Sequence, residues 1–133
     1  EISQHQVEVI QSPQCWETYI HCDEVAFTQI AINLLLNALQ ATEPNGHISI
    51  QCIKSGNDTR TEVHFSDTGS GIAVSELERI FDPFHTTKDT GSGTGLGLSI
   101  CYNLMTSMNG KIRVHSELGK GSDFILEFPQ IQN

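Results

Sequence analysis

Around a turn at Ser55-Gly56-Asn57-Asp58, apolar residues alternate with polar ones on both sides. Ile48, Ile50 and Cys52 precede the turn, and Val63 and Phe65 follow it. A period of two puts the apolar side chains of extended strands on one face. Strands joined by so short a turn form a hairpin, and its apolar face needs a cover. The stretch upstream can supply one. Ala26, Ile30, Leu34 and Leu35 recur at helical spacing, Asp23 can cap the start, and Glu43-Pro44-Asn45-Gly46 ends the pattern. This predicts a helix from about Glu24 to Thr42.

The same reasoning extends along the chain. It predicts strands at Val7–Ile10 and Trp16–Cys22, joined by a turn at Ser12-Pro13. Ser75 is expected to cap a short helix through Ile80. Asp82–Thr94, with Pro83, Gly91 and Gly93 and few apolar groups, reads as a mobile loop. A further helix is expected from about Gly95 to Met108, closed by Asn109-Gly110. Strands at Lys111–Ser116 and Asp123–Phe128 follow, joined at Leu118-Gly119-Lys120-Gly121, and Pro129 stops the last. The expected fold is α/β: a two-layer sandwich of one mixed, mostly antiparallel sheet with helices on one face.

The length, 133 residues, suits a single domain spanning 1–133. A formal charge of −9 argues against nucleic acid or an anionic membrane as the main partner, since both need a basic face. No apolar run approaches the roughly 18 residues of a membrane span, because Asn33 and Asn37 interrupt the longest, within Ile30–Leu39. The N-terminus is polar and lacks an initiating Met, so a piece of a longer protein is expected. Cys15, Cys22, Cys52 and Cys101 form no CxxC pair and sit among apolar residues. Reduced core thiols and a cytosolic compartment are the expectation.

Four stretches carry chemistry. Asn33 and Asn37 leave the same face of the first long helix, in an otherwise apolar run. They are either satisfied amides or oxygen donors for a hard cation such as Mg²⁺. Asp67-Thr68-Gly69-Ser70-Gly71 follows a strand; it is either an ordinary Asx turn or a site where Asp67 accepts from an amino group. Gly91-Ser92-Gly93-Thr94-Gly95-Leu96-Gly97 leads into a helix, where successive N–H groups and the helix dipole make a phosphate cradle or the glycines make a hinge. It is not a P-loop, because GxxxxGK[ST] is absent, and its GxGxG spacing does not fit the dinucleotide fingerprint. Phe81 and Phe84, at the start of the mobile loop, are expected to anchor it to the core, which makes it a lid with fixed ends. Lys88 on that loop is a cation able to reach a terminal phosphate.

Together and in this order, these stretches resemble the ATP-binding catalytic domain of sensor histidine kinases, in the wider family shared with gyrase, Hsp90 and MutL. Asn33–Ala38 matches the N box NLxxNA, Asp67–Gly71 the first glycine box, Phe81–Phe84 the F box, and Gly93–Gly97 with Leu98 the second glycine box GTGLGL. Gly110–Ser116 and Gly119–Ser122 fit the closing hairpin. The resemblance covers roughly Asp23 to Pro129 and implies the Bergerat-type ATP-binding fold. It further implies that Asp67 binds the adenine amino group, that Asn37 coordinates Mg²⁺ bridging the phosphates, and that Asn33 supports that shell. Gly69 and Gly71 would shape the adenine pocket, with Ile72, Phe84, Leu96 and Leu98 also against the nucleotide. Gly93, Thr94, Gly95 and Gly97 would hold the phosphates, with Thr86, Thr87 and Lys88 contributing from a lid at about 82–94. Many relatives carry Lys or Arg three residues after the second Asn of the N box. This chain has Gln40 there, and Lys88 is the expected replacement for the charge.

Asn33 also bears on the reaction. The ATPase relatives place a Glu at this position to activate water, whereas an amide is no general base at neutral pH. Transfer to an incoming nucleophile is the implied chemistry: a histidine on a separate dimerisation domain, upstream, in a bacterial two-component phosphorelay with a response regulator. His5, His21, His47, His64 and His115 lie in or beside predicted strands and His85 in the lid, and none shows the acceptor pattern. The domain alone is expected to be monomeric and without direct membrane contact, although its parent can be a membrane-bound sensor. Two alternatives share the fold: an anti-sigma-factor-like serine kinase, and a non-catalytic nucleotide-binding module.

Overall fold

The computed structural model describes residues 8–11, 22–54, 60–83 and 97–129. In chain order these form β1 (Glu8–Gln11), α1 (Glu24–Ala41), β2 (His47–Lys54), β3 (Arg60–Asp67), α2 (Val74–Leu77), α3 (Gly97–Ser107), β4 (Lys111–Glu117) and β5 (Gly121–Pro129). The strands make one sheet in the order β1-β2-β3-β5-β4. β1 runs parallel to β2, and the other neighbours are antiparallel. The sheet is therefore mixed and mostly antiparallel, as the alternation and turns predict.

Local chemistry sets the helix that covers this sheet. Oδ1 of Asp23 accepts from the N–H groups of Val25 at 2.9 Å and Ala26 at 3.2 Å, a cap whose loss costs about 1 kcal/mol. Helical spacing then buries Ile30, Leu34 and Ala38 on one stripe. At the other end the Thr42 hydroxyl donates to the Ala38 carbonyl at 2.7 Å, which satisfies that buried hydroxyl.

Ile30 and Leu34 of α1 pack with Cys101 and Met105 of α3 over Val63 and Phe65 of β3, Ile112 of β4, and Phe124, Leu126 and Phe128 of β5. Both long helices thus lie on one face of the sheet. On β3 that inner face carries Thr61, Val63, Phe65 and, last, Asp67. Alternation sends Glu62, His64 and Ser66 to the outer face, which carries charge. There His64 meets Asp123 at 2.9 Å and Glu62 at 2.8 Å. Arg113 pairs with Glu62 at 2.7 Å, and Arg60 pairs with Glu127.

The short helix differs from expectation. It starts two residues early, so Ala73 occupies the cap position, with no side-chain cap bond, and Ser75 falls inside the first turn. It ends at Leu77, and turns carry the chain on through Pro83. A serine inside a helical turn no longer has the extended backbone that lets a side-chain oxygen cap the following N–H groups. Of the expected strand Trp16–Cys22 only Cys22 is described, in a bend before the Asp23 cap. The turn at Ser55–Asp58 and most of the expected lid, from Phe84 through Thr94, lie outside the described residues. So do Gly95 and Leu96, the start of the last predicted helix.

Candidate functional site at the end of the central strand

Asp67 closes β3 on the inner face, between Ile48 of β2 and Ser122 of β5. The residue is buried. Burial pushes its pKa above the ordinary carboxylate value, although backbone N–H groups of Gly69 and Ser122 oppose the shift. The Gly69 amide donates to Oδ1 at 2.9 Å, so the turn after the strand grips the carboxylate.

That turn is fastened on three sides. The Thr68 amide donates to the His47 carbonyl at 3.0 Å, and the His47 amide returns a bond to the Thr68 hydroxyl at 2.9 Å. The Ser70 amide donates to the carbonyl of Ala41, at the end of α1, at 3.1 Å. The Gly119 amide donates to the Ser70 carbonyl at 2.7 Å, and the Ile72 amide to the Ser116 hydroxyl at 2.7 Å. Glycine is required here by this close packing. A Cβ on Gly69 would stand 2.5 Å from the Ala41 carbonyl oxygen. On Gly71, at φ +74°, it would stand 2.2 Å from that of Glu117. At both positions, neighbouring backbone occupies the space a side chain would need.

α1 forms the adjoining wall. Asn33 and Asn37 are both half-buried. The Asn33 side chain lies beside the buried thiol of Cys101, which donates to the Ile30 carbonyl at 3.8 Å and which burial pushes up to about 11 in pKa. That thiol is buried and protonated at neutral pH, so it has no reactive thiolate. Gly97 starts α3 close by: a Cβ there would lie 3.9 Å from the Asn33 amide carbon. Asn37 sits one turn further along α1 and is itself engaged with other groups of the chain. α1 therefore joins Gly97, near Asn33, to the Asp67 turn, near Ala41. At 1.5 Å per residue these contacts are about 12 Å apart along the axis. Such a wall is long enough for a base at one end and phosphates at the other.

Ile72 and Leu98 are half-buried against the core beside these elements. Phe81 stacks on Tyr102 of α3 at 5.9 Å and meets Phe124 of β5 edge-on at 6.5 Å, so the chain enters the expected lid from an aromatic anchor. Phe84, Thr86, Thr87, Lys88, Gly93, Thr94, Gly95 and Leu96 lie outside the described residues. Among the described residues no cluster of His, Cys, Asp and Glu could hold a metal ion.

Sequence reasoning missed Cys101 as the neighbour of Asn33, and Ser116 as the partner of the turn. The second had a signal. Ile112, Val114 and Ser116 share the inner face of β4, while Ser122, Phe124 and Leu126 share that of β5. Each run changes from apolar residues to serine at the end of the sheet where Asp67 lies.

A sheet with helices on one face, Asn residues on the covering helix, and an acidic turn ending the central strand together make an α/β sandwich. The chain belongs to the family described as histidine kinase-, DNA gyrase B-, and HSP90-like ATPases, whose pattern matches residues 22–132. It is 43% identical over 110 residues to the sensor histidine kinase ZraS of Escherichia coli (strain K12), covering 83% of this chain and 23% of that protein. The chain thus spans about a quarter of the length of that curated relative. The catalytic domain of histidine kinase ThkA, in a nucleotide-free form, superposes with a TM-score of 0.82 at 33% identity. The match covers 97% of this chain and 84% of that one. Full-length ShkA in complex with AMPPNP gives 0.80 at 30% identity, over 98% of this chain and 27% of that one. The expected family and sandwich are thus both found.

Proposed function

We propose that this domain binds Mg·ATP along α1 and the Asp67 turn, and presents the γ-phosphate to a histidine on a separate dimerisation domain of a two-component sensor kinase. The observation that carries the reading is the placement of Asp67. A buried carboxylate at a strand end, gripped by its own turn, suits the exocyclic amino group of adenine. The AMPPNP complex of the similar protein ShkA supports a nucleotide in a fold of this kind. Asn37 would offer its carbonyl oxygen to Mg²⁺, and Asn33 would steady that region through α3. The ion, when bound, neutralises phosphate charge. Gly93, Thr94, Gly95 and Gly97 would lie along the phosphates. Ile72 and Leu98, with Phe84, Thr86, Thr87, Lys88 and Leu96 from the lid segment, would complete the site on the strength of the family resemblance.

Asn33 has no basic lone pair at neutral pH, so the chain does not activate water through it. The acceptor histidine, its domain and the response regulator belong to the partners of this domain, for which a cytoplasmic setting is proposed. No described helix is long and apolar enough to cross a membrane. Calorimetric titration of the chain with ATP and AMPPNP, with and without Mg²⁺, tests the reading. Saturable binding of both nucleotides, tighter with Mg²⁺, is expected. Lack of binding by the folded chain would overturn it.

A further inference from the structure

We infer that Ser116 is a positioning residue for the nucleotide site: its hydroxyl ties the turn that carries Asp67 to the β4–β5 hairpin. The inference rests on the proposed nucleotide reading for its functional consequence, and on hydrogen-bond geometry for its mechanism.

A serine hydroxyl has one proton and two lone pairs. Ser116 uses all three. It accepts from the Ile72 amide at 2.7 Å and donates to the Gly121 carbonyl at 3.0 Å. The Ser122 hydroxyl lies 2.8 Å away. With the Ser116 proton committed to Gly121, Ser122 is the donor in that contact. Ser116 and Ser122 are also register partners, and Ser122 faces Asp67 across β5. One polar row, Asp67–Ser122–Ser116, therefore crosses the inner face of the sheet at its functional end.

The turn hangs between two supports. On the α1 side the Ser70 amide holds the Ala41 carbonyl. On the hairpin side the Gly119 amide holds the Ser70 carbonyl, and Ser116 supplies the side-chain bond. Removing the Ser116 hydroxyl leaves the half-buried Ile72 N–H without its acceptor. The turn then relaxes toward a new partner, and the Gly69 amide that grips Asp67 moves with it. Packing of Gly71 against the Glu117 carbonyl keeps turn and hairpin together, so the change is a reorientation and not an unfolding.

Ser116→Thr and Ser116→Val test this, since they share a shape and differ in the hydroxyl. Backbone amide resonances and hydrogen exchange are read on the nucleotide-free chain, and AMPPNP affinity by titration. With Val, the Ile72 amide should exchange faster, the Gly69 resonance should shift, and affinity should fall about fivefold to tenfold. Thr should restore all three. Ser116→Ala, which adds no bulk, replaces Val if Val does not fold. An unmoved Gly69 amide in the hydroxyl-free variant overturns the inference, as does equal loss with Thr and Val. If wild type bound no nucleotide, the nucleotide reading would fall, and the amide readings would still decide whether Ser116 positions the turn.

Discussion

Gly97, the first residue of α3, faces Asn33 of α1 across a gap that a methyl group would just fill: its Cβ would stand 3.9 Å from the amide carbon. That is ordinary van der Waals contact, so the fold itself does not demand glycine here. Alanine is favoured over glycine in a helix by about 1 kcal/mol. Gly97→Ala should therefore raise the melting temperature or leave it unchanged. If Gly97 keeps its place for the phosphates, the same variant should bind AMPPNP more weakly, and Gly97→Val more weakly still. Thermal unfolding and nucleotide titration on one preparation check both halves. An affinity equal to wild type in Gly97→Val would remove Gly97 from the site.

Asp67→Asn replaces an acceptor with a group that can turn a donor toward the adenine amino group. Mispairing one buried polar contact costs about 1–3 kcal/mol, so affinity should fall at least fivefold. Burial raises the Asp67 pKa in the free chain. Nucleotide affinity should therefore weaken on acidification at a higher pH than an ordinary Asp, near 3.9, would give. Titrations across pH with wild type and variant test this, and the acid limb should be absent in Asp67→Asn.

Asn37→Ala should reduce Mg²⁺-dependent binding more than metal-free binding, because the carbonyl oxygen is the proposed ligand. Titration with AMPPNP in Mg²⁺ and in chelator measures the difference. Equal losses in both would make Asn37 structural only.

The outer face has its own pH dependence. His64 contacts a carboxylate through each ring nitrogen, Asp123 at Nδ1 and Glu62 at Nε2. A neutral imidazole donates through one nitrogen only, so the pair of contacts requires the imidazolium. Burial pulls the His64 pKa down, but Asp123 and Glu62 outweigh it and hold the value above 6.5. The hydrogen bond from His64 leads the causes that hold the Glu62 pKa below 4.5. Arg60 and Arg113, with Glu127 between them, complete the charged surroundings. His64 thus contributes stability fully below its unfolded pKa, and loses it as pH rises through the folded value. Glu62 contributes above its unfolded pKa, and loses it as pH falls through the folded value. The stability gap between wild type and His64→Gln should be widest between about pH 4.5 and 6.5 and narrow at higher pH. Denaturant unfolding at several pH values measures it.

Much of this architecture is legible in the residues. Alternation at Ile48–Cys52 and Val63–Phe65 yields the hairpin, and Asp23 with the Ala26–Leu35 spacing yields α1, because these patterns reflect which side chains meet the core. The family is legible because the boxes from Asn33 to Leu98 resemble it in residue type and order. Ser75 misleads because a lone serine before a helical stretch does not say which residue takes the extended cap backbone. The bond from the Cys101 thiol to the Ile30 carbonyl stays hidden since it depends on how α3 docks on α1, which no local pattern encodes. The parallel pairing of β1 with β2 is equally non-local.

The chain alone should bind Mg·ATP yet transfer phosphate neither to water nor to itself at an appreciable rate. Asn33 offers no base, so hydrolysis lacks an activated water. Three of the histidines can be placed relative to the site, and His47, exposed at the start of β2 beside Thr68, lies at the Asp67 end of α1 and not at the Gly97 end. His64 and His115 lie on outer-face positions of β3 and β4, behind the sheet from Asp67. His64 is also held through both ring nitrogens. Transfer is governed by bringing nucleophile and γ-phosphate into contact, and these two groups are on the wrong side for it. Adding the dimerisation domain proposed to carry the acceptor histidine should restore transfer. The product should be labile in acid and stable in alkali, as a phosphoramidate is and a phosphoserine is not. Incubation with labelled ATP, with and without that domain, reads all of this at once. Rapid labelling of the chain alone would refute the separated acceptor, and an acid-stable product on the added domain would point to a serine kinase on the same fold.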